Sequence, residues 1–252
     1  MEKIIVANWK MHPATREDAV ALFSRILPVS SPAVEVVICP PFVYLGYLQE
    51  LLHSSSSIFL GGQDVFWHDP VGAYTGSISP QMLRSFGATY CIVGHSERRR
   101  DFLETDVIVG KKMRAALEAG LIPIVCVGES SVVRQQGLSE TKAFLRKQLE
   151  TIFSYYRPFP ERRICVAYEP LWAIGTANAD DASITNEIAD YIKGVLGGLA
   201  GLSPLLLYGG SITSQTISPF ILADQIDGVL VGGASLTDDF LSIIAAFSPS
   251  EH

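Results

Sequence analysis

The amino-acid sequence predicts an α/β fold, a (β/α)8 barrel made by a single domain over residues 1–252. Three observations support this prediction. Eight short apolar runs recur along the chain, segments with helical periodicity lie between them, and polar residues follow the runs directly. Eight strands, each followed by a helix, need about 250 residues, which matches the 252 residues of this chain.

The eight apolar runs have the length and composition of β-strands. They are mostly continuous rather than alternating, which is typical of strands buried on both faces in a parallel sheet covered by helices. The runs begin at Lys3, Glu35, Ile58, Thr89, Leu121, Arg163, Pro204 and Asp227.

The helical segments are clearest at Arg16–Ile26, Val107–Ala119, Glu140–Phe153 and Thr185–Leu199. In the first of them, the apolar residues from Ala19 to Ile26 share one helix face. A doubly wound sheet is the competing architecture. That fold usually carries a GxGxxG turn after its first strand, and here the stretch "VANWKMHP" occupies that place.

The composition narrows the classes of partner. The net charge is −7 and the pI is about 5.2, which argues against nucleic acid or an anionic membrane as a partner. A mean hydropathy of +0.28 indicates a folded chain with a sizeable core. If the substrate is an anion, positive groups at the site must attract it, because the protein as a whole carries a net negative charge.

The four cysteines, Cys39, Cys91, Cys126 and Cys165, lie in or beside apolar runs and form no CxxC pair. We expect buried free thiols, which fits a cytoplasmic location. No apolar run approaches the length of a membrane span, and "MEKIIVANWK" lacks the features of a signal peptide.

Polar residues follow the first and fourth strands. Asn8 and Lys10 follow the first strand and are two residues apart, so in an extended chain they face the same way.

Ser96 and His95 follow the fourth strand. We predict that Ser96 caps a helix, which places His95 near a helix N-terminus, where the dipole favours a neutral imidazole. The arginines at 98–100 oppose that dipole, and Glu97 is the nearest acidic partner. Taken singly, Lys10 also fits a solvated charge and His95 a structural histidine.

The sixth strand ends at Glu169, which is followed by the apolar stretch "PLWAIGT". Pro170 stiffens the start of this loop, and Trp172 and Ile174 need cover, so we predict that the loop closes as a lid. A carboxylate at the root of an apolar lid loses water when the lid shuts, which makes it a stronger base.

The seventh and eighth strands are followed by paired glycines, in "GGS" at 209–211 and "GGA" at 232–234. Glycine lets backbone N–H groups approach a ligand closely, and the last two loops of this barrel are its usual phosphate site. These loops therefore predict a phosphate cradle beside the lysine, histidine and glutamate.

Several of these stretches together resemble the triosephosphate isomerase family, whose fold is the TIM barrel. The matching motifs are "ANWKM", "VGHSERR", "AYEPLWAIGT", "LYGGS" and "GVLVGGASL", and they occur in the family's order and spacing over almost the whole chain. The resemblance implies interconversion of dihydroxyacetone phosphate and D-glyceraldehyde 3-phosphate in glycolysis and gluconeogenesis. It implies no metal or organic cofactor, because a 1,2-proton shift involves no net redox change.

The resemblance also implies roles for individual residues. The family is itself an established example of a glutamate base and a neutral histidine under a closing loop. By that likeness, Glu169 moves the carbon proton, His95 polarises the carbonyl, Lys10 supplies positive charge, Asn8 binds a substrate oxygen, and Glu97 supports them. The phosphate is expected on backbone N–H groups of Gly175, Ser211, Gly232 and Gly233.

The same likeness implies parts of the lid and a homodimer. Trp172 is expected to approach Glu129, and Tyr208 to help hold a lid that contains Pro170, Ile174 and Thr176. The loop "GAYTG" at 72–76 resembles one that reaches into a partner subunit and brings Thr75 near the partner's site. Without a partner, we expect the aromatic residues of this region, Phe66, Trp67 and Tyr74, to be exposed.

The chain departs from the family pattern at three places. His12 stands where asparagine is usual, Ser77 stands where a glutamate usually pairs with Arg98 across the interface, and 177–180 reads "ANAD" at the lid hinge. Two alternatives to the triose isomerase therefore stay open. One is an isomerase for a longer ketose phosphate such as a tetrulose phosphate, and the other is an idle paralogue kept for binding.

Overall fold

The computed structural model describes residues 3–29, 34–52, 57–68, 71–158, 163–173 and 181–247. All eight predicted strands are present, and they pair in parallel, in chain order, as a closed barrel in which β8 pairs with β1. The (β/α)8 prediction is thus confirmed. The strands are β1 Lys3–Asn8, β2 Val34–Cys39, β3 Ile58–Gly62, β4 Ala88–Val93, β5 Ile122–Val127, β6 Cys165–Tyr168, β7 Leu205–Tyr208 and β8 Gly228–Val231.

The four predicted long helices are also confirmed, with bounds that shift by a few residues. Short helices that the periodicity did not single out occupy several of the loops. The helices are α1 Arg16–Ile26, α2 Leu45–Leu51, α3 Pro80–Ser85, α4 Ser96–Asp101, α5 Asp106–Glu118, α6 Ser131–Gln135, α7 Leu138–Phe153, α8 Ala182–Ala200, α9 Ser218–Leu222 and α10 Asp239–Phe247.

Helix ends follow local side-chain chemistry. Thr15 caps α1 by accepting a hydrogen bond from the Asp18 N–H, and Asp181 caps α8 in the same way. The helix α8 ends at Gly201, whose φ of 63° lies in the left-handed region that glycine adopts without steric cost. The apolar face predicted for α1, from Ala19 to Ile26, is buried against the barrel.

The core has two layers. An inner cluster fills the barrel, with Ile4, Tyr90, Ile92 and Leu230 among its members, and an outer cluster packs the helices onto the strands. All four cysteines are free and buried, as predicted. Burial raises the pKa of each thiol, to about 12 for Cys165, so the thiols stay protonated and behave as small core hydrophobes.

A polar network lies at the amino end of the barrel, away from the loops that follow the strands. Glu35 in β2 accepts hydrogen bonds from the Tyr90 hydroxyl at 2.6 Å and from Arg163 Nη1 at 2.9 Å. Such ties at this end contribute to stability, because the chemistry of this fold takes place at the opposite face. None of the helices in the described ranges is both long and apolar enough to cross a membrane.

Candidate active site

The carboxyl ends of the strands surround a cavity of about 410 Å³. Because each strand delivers the residue that follows it to this end, residues far apart in sequence meet here. The cavity is lined by seven of the predicted site residues, namely Asn8, Lys10, His95, Glu169, Ser211, Gly232 and Gly233.

Glu169 lies at the centre of this arrangement and is only 2% exposed. Its backbone N–H donates to the Val127 carbonyl at 2.7 Å, which extends the β5–β6 pairing to the site. One carboxylate oxygen accepts the Ser96 backbone N–H at 3.0 Å, and the other lies 3.4 Å from His95 Nε2. A buried carboxylate held by these two groups is available for proton transfer within the cavity.

Glycines stand on both sides of Glu169. A Cβ atom at Gly128, after β5, would lie 1.8 Å from the Glu169 carbonyl oxygen. A Cβ atom at Gly209, after β7, would lie 2.8 Å from Glu169 Cγ. The neighbouring strand ends therefore close tightly on the glutamate and fix where its side chain starts.

His95 corrects one prediction. The N-cap of α4 is His95 rather than Ser96, because its Nδ1 accepts the Glu97 backbone N–H at 3.2 Å. A nitrogen that accepts a hydrogen bond carries no proton, so the ring is neutral and its proton resides on Nε2. The ring therefore directs an N–H donor toward Glu169 and the cavity, as a polarising group requires.

Lys10 and Asn8 lie on the cavity side of the β1 end, while Trp9 is buried on the other side, as predicted. The backbone is not extended here, however, because Lys10 has φ of 55°, in the left-handed region. The Asn8 side-chain oxygen accepts the Lys10 N–H at 3.0 Å, and Gln63 Nε2 donates to the Lys10 carbonyl at 2.8 Å. These bonds hold the unusual conformation and direct the ammonium group into the site.

Glu97 contacts Lys10 rather than the arginines, which corrects a second prediction. Its Oε1 lies 2.6 Å from Lys10 Nζ. The arginines find other carboxylates, since Arg98 pairs with Asp64 and Glu104, Arg99 with Asp106, and Arg100 with Asp101. The positive run in α4 is therefore neutralised by carboxylates of α4 itself and of the neighbouring segments.

The loops after β7 and β8 border the cavity opposite these side chains. Gly232 precedes a 3₁₀ turn over Gly233–Leu236, and the first N–H groups of such a turn have no acceptor within it. Ser211 ties its loop to the lid root, since both its N–H (3.3 Å) and its hydroxyl (2.7 Å) donate to the Ala173 carbonyl. This edge can present backbone donors to an anion.

The root of the predicted lid is well defined. Trp172 Nε1 donates to Glu129 at 3.2 Å, as the resemblance implied, and the Tyr168 hydroxyl donates to the same buried carboxylate.

Two further residues predicted to belong to the lid or to support it are described. Pro170 is buried and its carbonyl accepts the Ala173 N–H. Tyr208 is buried and stacks on Phe220. The remaining predicted lid residues, Ile174, Gly175 and Thr176, and the hinge at 177–180 lie outside the described residues.

The sequence analysis missed several residues that shape this site. Gly128 and Gln63 are each the last residue of a predicted run, in "VGE" and "GGQ", and each directly follows the observed strand, so the position alone could have flagged them. Thr213, Thr237 and Asp239 also line the cavity. Nothing in their local sequence distinguishes them from ordinary loop residues.

A closed parallel barrel that aims a buried carboxylate, a neutral imidazole and a lysine into one anion-accepting cavity defines an acid–base enzyme of the α/β-barrel class. The triosephosphate isomerase family model matches residues 3–247, and the chain belongs to the triosephosphate isomerase family. Among its relatives, the triosephosphate isomerase of Thermoanaerobacter sp. (strain X514) is 42% identical, with 96% of this chain and 98% of the relative covered. Those of Dechloromonas aromatica (strain RCB) and Roseiflexus castenholzii (strain DSM 13941 / HLO8) are 40% and 41% identical, with coverage of 97% to 98% throughout.

Proposed function

We propose that this chain interconverts dihydroxyacetone phosphate and D-glyceraldehyde 3-phosphate, a reaction of glycolysis and gluconeogenesis, through an enediolate intermediate. The observation that carries the proposal is the approach of His95 Nε2 to within 3.4 Å of the Glu169 carboxylate, beside the Lys10 ammonium group in one cavity. A 1,2-proton shift needs one base for the carbon proton and one donor for the carbonyl oxygen, and this pair supplies both.

Each side chain takes one part of the reaction. Glu169 removes the proton beside the carbonyl and returns it to the neighbouring carbon. His95 donates its Nε2 proton to the developing oxyanion and then accepts the proton of the neighbouring hydroxyl, so a proton passes between the two substrate oxygens and the imidazole ends neutral. Lys10 offsets the negative charge that develops on these oxygens. Asn8 binds a substrate oxygen, and Glu97 keeps Lys10 in place through their 2.6 Å contact.

The phosphate is proposed to lie on backbone N–H groups of Gly175, Ser211, Gly232 and Gly233. The Ser211 N–H now donates to the Ala173 carbonyl at 3.3 Å, so it must change acceptor when the phosphate arrives. Because the Ser211 hydroxyl keeps its 2.7 Å bond to the Ala173 carbonyl at the lid root, phosphate binding at Ser211 would be coupled to the lid. Trp172, Glu129 and Tyr208 then support the closed lid.

The test is a coupled assay of purified protein with D-glyceraldehyde 3-phosphate, run beside D-erythrose 4-phosphate and L-erythrulose 1-phosphate. We expect kcat/KM near the diffusional ceiling, about 10⁸–10⁹ M⁻¹s⁻¹, for the triose phosphate alone. Preference for a tetrose would favour the tetrulose phosphate alternative, whose only support is the hinge at 177–180. Absence of turnover with folded protein would favour the idle paralogue.

We further propose a cytoplasmic homodimer in which residues 1–252 of each subunit form one barrel domain. Large apolar side chains are exposed in the segments that follow β1 to β4, which are neighbours in the ring, and a second subunit would cover them. They include Met11, Val43, Val71 and Phe102, exposed by 91%, 72%, 84% and 66%.

The loop proposed to enter the partner is partly self-supporting. Phe66 packs against Trp67 and Tyr74, with ring centroids 4.5 and 4.8 Å apart, so these aromatics are half-buried rather than exposed as predicted. Thr75 at its tip is exposed.

Ser77 replaces the glutamate that is usual at this interface. Arg98 nevertheless has partners within its own chain, Asp64 at 3.0 Å and Glu104 at 2.6 Å. The proposed interface therefore relies on apolar contact.

Sedimentation velocity at micromolar concentration is expected to give twice the chain mass of 27.4 kDa. Thr75→Arg should shift the protein to monomer, because a charged side chain would be buried without a partner. Leu222→Arg is the matched control, since Leu222 is 84% exposed and follows β7, across the ring from β3. A native protein that sediments as a monomer would contradict the proposal.

A further inference from the structure

Arg99 makes three contacts that join separate parts of the site, although it does not line the cavity. Its Nε donates to the Gly94 carbonyl at 2.7 Å and its Nη2 to the Cys126 carbonyl at 3.1 Å. Its Nη1 lies 2.6 Å from Asp106, at the start of α5. The side chain is 18% exposed, so most of the guanidinium lies inside the protein.

The two carbonyl contacts occur where the strands β4 and β5 stop pairing. Their register ends at Val93 opposite Val125, so Gly94 and Cys126 are the next residues on the two strands. The guanidinium therefore bridges the first unpaired carbonyls and ties the strand ends together. A planar fork of donors suits this geometry, and a lysine ammonium does not reproduce it.

Both strand ends lead directly to the reacting groups. Gly94 has φ of 72° and immediately precedes His95, so its position sets where the imidazole begins. Cys126 still pairs with Ala167 of β6, the strand that delivers Glu169, and burial together with the nearby Glu169 carboxylate raises the pKa of its thiol. The distance between His95 and Glu169 thus depends on how β4 is held against β5.

We propose that Arg99 is a positioning residue that sets the separation of His95 from Glu169 by bridging the Gly94 and Cys126 carbonyls. This inference rests on the proposed function, in which those two side chains act on one substrate. Asp106 balances the guanidinium charge and fixes its plane. Removing the bridge lets the β4 end move relative to β6, and a displacement of about 1 Å in a reacting group costs on the order of 10²-fold in rate.

The experiment compares Arg99→Ala and Arg99→Lys with native protein in steady-state assays. Both variants are expected to lose about 10- to 100-fold in kcat with KM changed by less than about twofold, because the phosphate-binding loops are untouched. Ethylguanidinium should restore much of kcat in Arg99→Ala, since it replaces the atoms removed and can bridge the same carbonyls. The lysine variant keeps the test valid if the alanine variant does not fold.

Arg163→Ala is the matched control, because Arg163 bonds Glu35 at the amino end of the barrel. It should lower the melting temperature while leaving kcat near native and insensitive to ethylguanidinium. A kcat within twofold of native in both Arg99 variants, a loss seen mainly in KM, or no rescue by ethylguanidinium would overturn the inference. Inactive native protein would instead contradict the proposed function, so the two failures are distinguishable.

Discussion

Replacing Glu169 with aspartate is expected to lower turnover by roughly 10²–10⁴-fold while the protein stays folded. The backbone of Glu169 cannot follow the shorter side chain, because its N–H is bonded to Val127 and glycines close on it from both neighbouring strands. The carboxylate therefore retreats from the cavity by about one methylene. Steady-state kinetics with D-glyceraldehyde 3-phosphate would measure the effect.

Glu35→Asp provides the control for this substitution. Glu35 is also a partly buried glutamate that accepts two side-chain hydrogen bonds, but it lies at the other end of the barrel. Its shortening should reduce the melting temperature and leave turnover near native. Near-native turnover of Glu169→Asp would show that another group is the base.

Replacing Lys10 with alanine is expected to lower kcat/KM by roughly 10³-fold, through both a higher KM and a lower kcat. The protein carries a net charge of −7, and Lys10 is the cation that the β1 end directs into the cavity. Its loss removes attraction for the substrate dianion and support for the enediolate. It also leaves Glu97 without its 2.6 Å partner, which adds a repulsive charge near the site.

A second variant separates the charge from the backbone conformation. Lys10→Gly removes the same ammonium group but suits φ of 55°, whereas alanine keeps the left-handed strain of order 1 kcal/mol. We expect equal losses of activity and a higher melting temperature for the glycine variant. Lys142→Ala, at a surface pair with Glu187, controls for net charge. Activity retained in either Lys10 variant would refute the proposed role of the ammonium group.

The architecture could be predicted from sequence because each strand is a local apolar run and each long helix has a local period. Eight such strand–helix units in one chain are typical of the (β/α)8 barrel, so a closed ring of strands could be predicted as well. The candidate catalytic residues could also be located, since Asn8, Lys10, His95 and Glu169 all follow strands, and this fold places such residues at one end.

The partners of those residues could not be predicted, because hydrogen bonds across the barrel have no local signature. Glu97 lies beside three arginines in sequence, yet it contacts Lys10, which lies 87 residues away. The N-cap of α4 is His95 rather than Ser96, because the imidazole Nδ1 accepts the hydrogen bond from the Glu97 N–H. Likewise, the sequence shows Arg99 only as one of three consecutive arginines, and nothing local indicates its contacts with two strand ends.

The glycines on either side of Glu169 predict how this protein tolerates mutation. In a library of every single-residue variant selected for growth on this enzyme, positions 128 and 209 should accept almost nothing but glycine. A scan ranked by distance from the substrate would rate both as replaceable, since neither residue offers a side chain to it. The selection would instead group them with position 169, because any added carbon atom there would meet the catalytic strand end itself.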